Sequence, residues 1–96
     1  MITVFHNPKF VDLAFSRDIV ADFQAAQMET SLEKVAEVQT EDLDEAYQDT
    51  NHIDRPWHDN ESVTLIKKSR STSIGDVMER NGERFIVDKI GFKRLP

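Results

Sequence analysis

Asn81-Gly82, set between Val77-Met78-Glu79-Arg80 and Glu83-Arg84-Phe85-Ile86-Val87, constrains this chain more than any other stretch. Two β-compatible runs joined by two residues that both tolerate positive φ specify a type I′ hairpin, whose turn matches the right-handed twist of the strands. The chain is therefore built partly of antiparallel sheet. Gly91 permits a bend or bulge before Phe92 and Leu95, and Lys93 and Arg94 keep the outer side charged. Val63-Thr64-Leu65-Ile66 is another β-prone run. Ile2-Thr3-Val4-Phe5 opens the chain as a strand and is stopped by Asn7-Pro8, where proline forces Asn7 out of helical geometry.

Between these runs the pattern turns helical. Ser16 suits an N-cap, Asp18 lies in a first turn that favours negative charge, and Phe15 and Val20 occupy hydrophobic-staple positions. A helix over residues 17–28 follows, with Ile19, Val20, Phe23 and Ala26 facing the core and Arg17, Asp18, Asp22 and Gln24 in water. Residues 10–15 fit two periods: Val11, Leu13 and Phe15 alternate, while Val11, Phe15, Ile19 and Phe23 recur every fourth residue. Both readings bury Phe15. Residues 32–38 would extend a helix or form a strand, and the strand is preferred. Thr40 is the expected N-cap of the next helix, with Glu41 and Asp42 at its positive end and Leu43, Ala46 and Tyr47 on one buried stripe. That helix should end near Thr50. Residues 51–60 read as an ordered loop pinned by Trp57, which is expected to close a small core rather than serve as an interface hot spot.

Ninety-six residues make one domain, and 39% hydrophobic with 31% charged residues suits a folded globular chain. The expected fold class is α+β: a small, mostly antiparallel sheet with a C-terminal β-hairpin, packed on one face by two helices from the acidic N-terminal two-thirds. The chain lacks cysteine, which excludes disulfides, thiolate metal sites and cysteine nucleophiles. No apolar run approaches the roughly 18 residues of a membrane span, and the first residues lack the basic flank and apolar stretch of a secretory signal. A soluble, cytoplasmic protein without membrane partners is expected.

Charge is lopsided. Residues 1–62 carry four basic and fourteen acidic side chains, and residues 63–96 carry eight basic and four acidic ones. The net charge of −6 opposes whole-molecule attraction to phosphate backbones, so direct nucleic-acid binding is disfavoured. Glu41, Asp42, Asp44, Glu45 and Asp49, with Glu29, Glu33 and Glu37 upstream, form a run of the kind that imitates the phosphate charge of DNA and occupies a basic groove on another protein. The plainer account is a solvated helix face. Lys67, Lys68, Arg70, Arg80 and Arg84 are the alternative, a nucleic-acid contact on the basic hairpin side. Against it, the nearby aromatics Phe85 and Phe92 suit a core on alternating strands, and edge lysines discourage aggregation.

Two other constellations are weaker. His6, His52 and His58 with Asp49, Asp54 and Asp59 supply metal-ligand types, but the spacing of His52 and His58 fits neither a helical His pair nor a zinc finger. No metal or cofactor is expected. Ser69-Arg70-Ser71-Thr72-Ser73 followed by Gly75-Asp76 has the groups to hold an anion, yet lacks the P-loop pattern, and turn chemistry accounts for the same residues. No nucleophile–base pair or paired-carboxylate pattern points to catalysis.

Asp42-Leu43-Asp44-Glu45-Ala46-Tyr47, Thr50-Asn51-His52-Ile53, Trp57, Arg70-Ser71-Thr72-Ser73-Ile74-Gly75-Asp76-Val77, and Val87 with Gly91-Phe92 succeed one another in an order that resembles the YodL-like small proteins of phages, prophages and plasmids. The resemblance spans about residues 35–95, and the Arg-Ser-Thr-Ser-x-Gly-Asp-Val segment is its most specific part. It implies a phage or mobile-element accessory protein and brings no catalytic residues. Small acidic proteins of such origin are similar in size and charge to inhibitors of bacterial defence systems, anti-CRISPR proteins among them. The expectation is a non-enzymatic protein that binds a host protein or nucleoprotein complex through its acidic surface and blocks nucleic-acid access.

Overall fold

The computed structural model describes residues 1–27, 32–51, 57 and 61–96. Its elements, in chain order, are β1 (Ile2–His6), α1 (Phe10–Leu13), α2 (Ile19–Gln27), β2 (Glu33–Val38), α3 (Leu43–Asp49), β3 (Val63–Leu65), β4 (Val77–Arg80), β5 (Glu83–Val87) and β6 (Phe92–Arg94). The six strands form one sheet in the order β3-β2-β1-β4-β5-β6, and every neighbouring pair is antiparallel. The fold is α+β with a C-terminal hairpin, as the sequence indicates.

The hairpin forms at Asn81-Gly82 with both turn residues at positive φ, 51° and 81°. Arg80 pairs with Glu83 and Met78 with Phe85, so the turn sets the register of β4 and β5. Residues 32–38 resolve as strand. A bulge sits opposite Val4 and Phe5, which pair with Ala36 and Lys34 and leave Val35 as the extra residue of β2. The bulge lets two consecutive residues, Val35 and Ala36, join the same core cluster, where simple alternation would send them to opposite faces.

Helices cover both faces of the sheet, not one. Ile2, Val4, Ala36, Val38, Met78 and Val87 pack with Ala46, Leu43 and Tyr47 of α3, and with Trp57. Val77 and Ile86, which alternate with Met78 and Val87 along their strands, pack instead with Leu13, Ile19 and Phe23 of α1 and α2. The acidic part thus supplies three helices, the first only one turn long. Apolar side chains on both sheet faces call for cover on both.

Three local expectations are corrected. Phe15 is 87% exposed, because α1 stops at Leu13 and Leu13 takes the buried place. Asp18, not Ser16, caps α2: its carboxylate accepts from the Ala21 amide at 3.2 Å, while the Ser16 hydroxyl donates to Asp22. Asp42, not Thr40, caps α3 by accepting from the amides of Asp44 and Glu45 at 2.8 and 3.3 Å. The Thr40 hydroxyl sits one step earlier, accepting from the Asp42 amide and donating to Glu45. Among the described residues, no helix is long and apolar enough to cross a membrane.

Candidate functional site

Helical geometry turns the α3 acids outward. At about 100° per residue, Leu43, Ala46, Tyr47 and Thr50 fall on one stripe, and Asp44, Glu45, Gln48 and Asp49 on the opposite one. The structure agrees: Ala46 and Thr50 are fully buried and pack the helix on the sheet, while Glu41, Asp42, Asp44 and Glu45 are exposed. Asp44, Glu45 and Asp49 therefore share the outer stripe of α3, with Glu41 and Asp42 just before its first turn, but the five carboxylates are not equivalent. Asp42 is occupied with the cap. Glu41 pairs with the Met1 ammonium, Glu45 accepts from Thr40, and Asp49 accepts from the Ser62 hydroxyl at 2.9 Å. Asp44 points to solvent with no side-chain partner among the described residues. Upstream, Glu33 pairs with Lys67 at 2.7 Å, and that partner holds its carboxyl below the usual range.

The basic alternative is less coherent. Lys67 faces Glu33, Arg84 lies 3.6 Å from Glu79 across the hairpin and 4.8 Å from the Phe5 ring, and Arg80 donates to the Glu41 carbonyl at 3.0 Å. Arg80 thus stands beside the acidic face rather than on a separate basic one. Lys68 is exposed.

Arg70 belongs to a buried polar cluster that the sequence does not bring together. Its guanidinium grips Asp76 through two nitrogens, Nη1 to Oδ2 at 2.6 Å and Nη2 to Oδ1 at 2.7 Å, and lies 3.5 Å from the centroid of the Phe10 ring. Asp76 has no exposed surface and also accepts from the amides of Asn7 and Ser73, at 2.8 and 2.7 Å. All four of its acceptor positions are then filled. Gly75 makes this approach possible, for a Cβ there would lie 3.2 Å from the Phe10 backbone, and its φ of +96° suits glycine.

His6, at the end of β1, completes the cluster. Nδ1 lies 2.8 Å from the Ser69 hydroxyl and Nε2 lies 3.0 Å from the Thr72 hydroxyl. Burial pushes its pKa down from 6.5 to about 4, against the opposing pull of Asp76. The neutral ring donates through one nitrogen and accepts through the other. Serine, histidine and aspartate are the residue types of a nucleophilic relay, but the geometry here is of another kind. The nearest Asp76 oxygen is 3.9 Å from Nε2, and the carboxylate orients a guanidinium and two amides instead of the imidazole. The cluster clamps the end of β1 to the segment entering β4. The Trp57 indole donates to the Arg70 carbonyl at 3.1 Å and meets the His6 ring edge-on, so its expected core role holds.

Sequence reasoning found the hydroxyl-rich segment as turn chemistry but missed its partners His6 and Asn7, which lie more than sixty residues away. Asn7-Pro8 was the one local signal. Of the metal-ligand types considered, His52, His58, Asp54 and Asp59 lie outside the described residues. Among the described residues, no three His, Asp or Glu side chains converge on a common point.

No family model matches the chain, and no curated protein or solved structure matches it either.

Proposed function

We propose that this chain is a non-enzymatic binding protein that docks the acidic α3 face on a basic, nucleic-acid-binding surface of a host protein and blocks nucleic-acid access to it. One observation carries the reading: the exposed carboxylates Asp44 and Glu45 lie on the outer stripe of α3, and the exposed carboxylates Glu41 and Asp42 stand directly before its first turn. A concentrated negative face steers a basic partner and excludes nucleic acid by like charge. The phage or mobile-element setting, and an anti-defence role within it, rest on the YodL-like resemblance of residues 35–95. The basic-side alternative is the weaker reading, because Arg70 is committed to Asp76 and Arg80 to the Glu41 carbonyl.

The test uses D44K/E45K, which reverses charge while sparing the Asp42 cap. Bacterial lysate rich in defence complexes is treated with nuclease and passed over the immobilised wild-type and variant chains, with circular dichroism as the fold check. The wild type should retain a basic nucleic-acid-binding protein, and the variant should retain at least about tenfold less of it. The wild type should also suppress DNA retardation by the captured protein. Equal capture by both chains overturns the reading, and salt-sensitive DNA retardation by the chain itself would favour the basic side.

A further inference from the structure

Two hollows adjoin at the edge of the acidic face and share Asp44 and Phe92. The wider, about 610 Å³, is open and bordered by Glu41, Asp42 and Arg80. The narrower, about 180 Å³, is more enclosed. It falls below the roughly 300 Å³ at which cofactor and small-molecule pockets begin, so its size suits one side chain rather than a nucleotide. Its apolar lining comes from Tyr47, Phe92, Ile74 and Val87, and its charged lining from Asp44, Asp88 and Lys89. The Tyr47 and Phe92 rings meet edge to face, 6.5 Å apart at 76°.

We infer that this narrow hollow receives an arginine side chain from the partner and so anchors the docking proposed above, on which the inference rests. Carboxylates outnumber cations in the lining by two to one, which favours a cationic occupant. Two aromatic rings beside those carboxylates favour a planar cation that stacks and forks at once, which is guanidinium rather than ammonium. The chain already uses this pairing: Arg70 lies over Phe10, Arg80 over Phe85 and Arg84 over Phe5, at 3.5, 5.0 and 4.8 Å from the ring centroids. Tyr47 and Phe92 carry no such arginine among the described residues. Arginine in a desolvated aromatic pocket is also a residue type that dominates interface energetics.

The probe is ethylguanidinium, titrated into the isotope-labelled full chain and followed by amide chemical shifts, with propylurea as a neutral counterpart one methylene longer. Ethylguanidinium should give saturable shifts centred on Tyr47, Ile74, Val87 and Phe92, and propylurea should not. D44N and F92L, each checked for a native spectrum, should weaken the binding about threefold. Equal shifts with propylurea, or non-saturating shifts spread along residues 41–49, overturn the inference. A silent hollow with partner capture still abolished by D44K/E45K removes the anchor and leaves the docking face standing. A filled hollow with capture unchanged removes the docking face, and with it the assignment of the occupant to that partner.

Discussion

The acidic α3 face and the cluster around Asp76 are both rich in charge, and they use it in opposite ways. At Asp76, each carboxylate oxygen meets one guanidinium nitrogen and one backbone amide, with no solvent contact. On α3, Asp44 faces water with no side-chain partner among the described residues, and the exposed Glu41 and Glu45 contact the Met1 ammonium and the Thr40 hydroxyl. The difference teaches that a carboxylate's partners, rather than its charge, decide whether it serves stability or remains available for recognition. A buried, saturated carboxylate is expensive to disturb, whereas an exposed one contributes little to folding.

The largest effect that comparison implies is at Asp76. D76A leaves the Arg70 guanidinium and the Asn7 and Ser73 amides without their acceptor, and should cost about 3–5 kcal/mol in urea unfolding. A loss under about 1 kcal/mol would mean that the cluster is not a clamp. The next effect is a pH dependence. His6 has a pKa of about 4 in the folded chain and 6.5 when unfolded, so between those values the unfolded chain binds more protons. The stability held by the neutral imidazole is complete above pH 6.5, falls as pH drops towards 4 and levels off below it. The span is about 3 kcal/mol at most. The quantity to compare is the slope of urea stability against pH in wild type and in H6Q, which should be flatter. The smallest effect sharpens the contrast on α3 itself: D42A should lose about 1 kcal/mol through its cap, while D44A, two residues on, should stay within about 0.5 kcal/mol of wild type.

What the sequence disclosed divides along the same line between local and distant. The hairpin was legible because Asn81 and Gly82 specify their turn without outside help, and α3 because Leu43, Ala46 and Tyr47 mark its inner stripe within seven residues. The acidic run was visible for the same reason, since all five carboxylates lie in or directly before one helix. Phe15 was misplaced because two periodicities agreed on it, and neither foresaw a helix as short as α1. The bulge at Val35 and the union of His6 with Ser69, Thr72 and Asp76 depend on which strands become neighbours, and neither is encoded within a short window. The narrow hollow was hidden likewise, since Tyr47 and Phe92 meet only after β6 joins the sheet.

The position of β1 carries a consequence for how the chain reaches its native form. This first strand lies in the interior of the sheet, with β2 on one flank and β4 on the other, and Ile2 is paired with both Val38 and Arg80. During synthesis the earliest β segment must wait, one side unmatched, until residues more than seventy positions later have left the ribosome. Closing so wide a loop before its contacts reward it slows folding, and an unmatched edge is an invitation to pair with other chains.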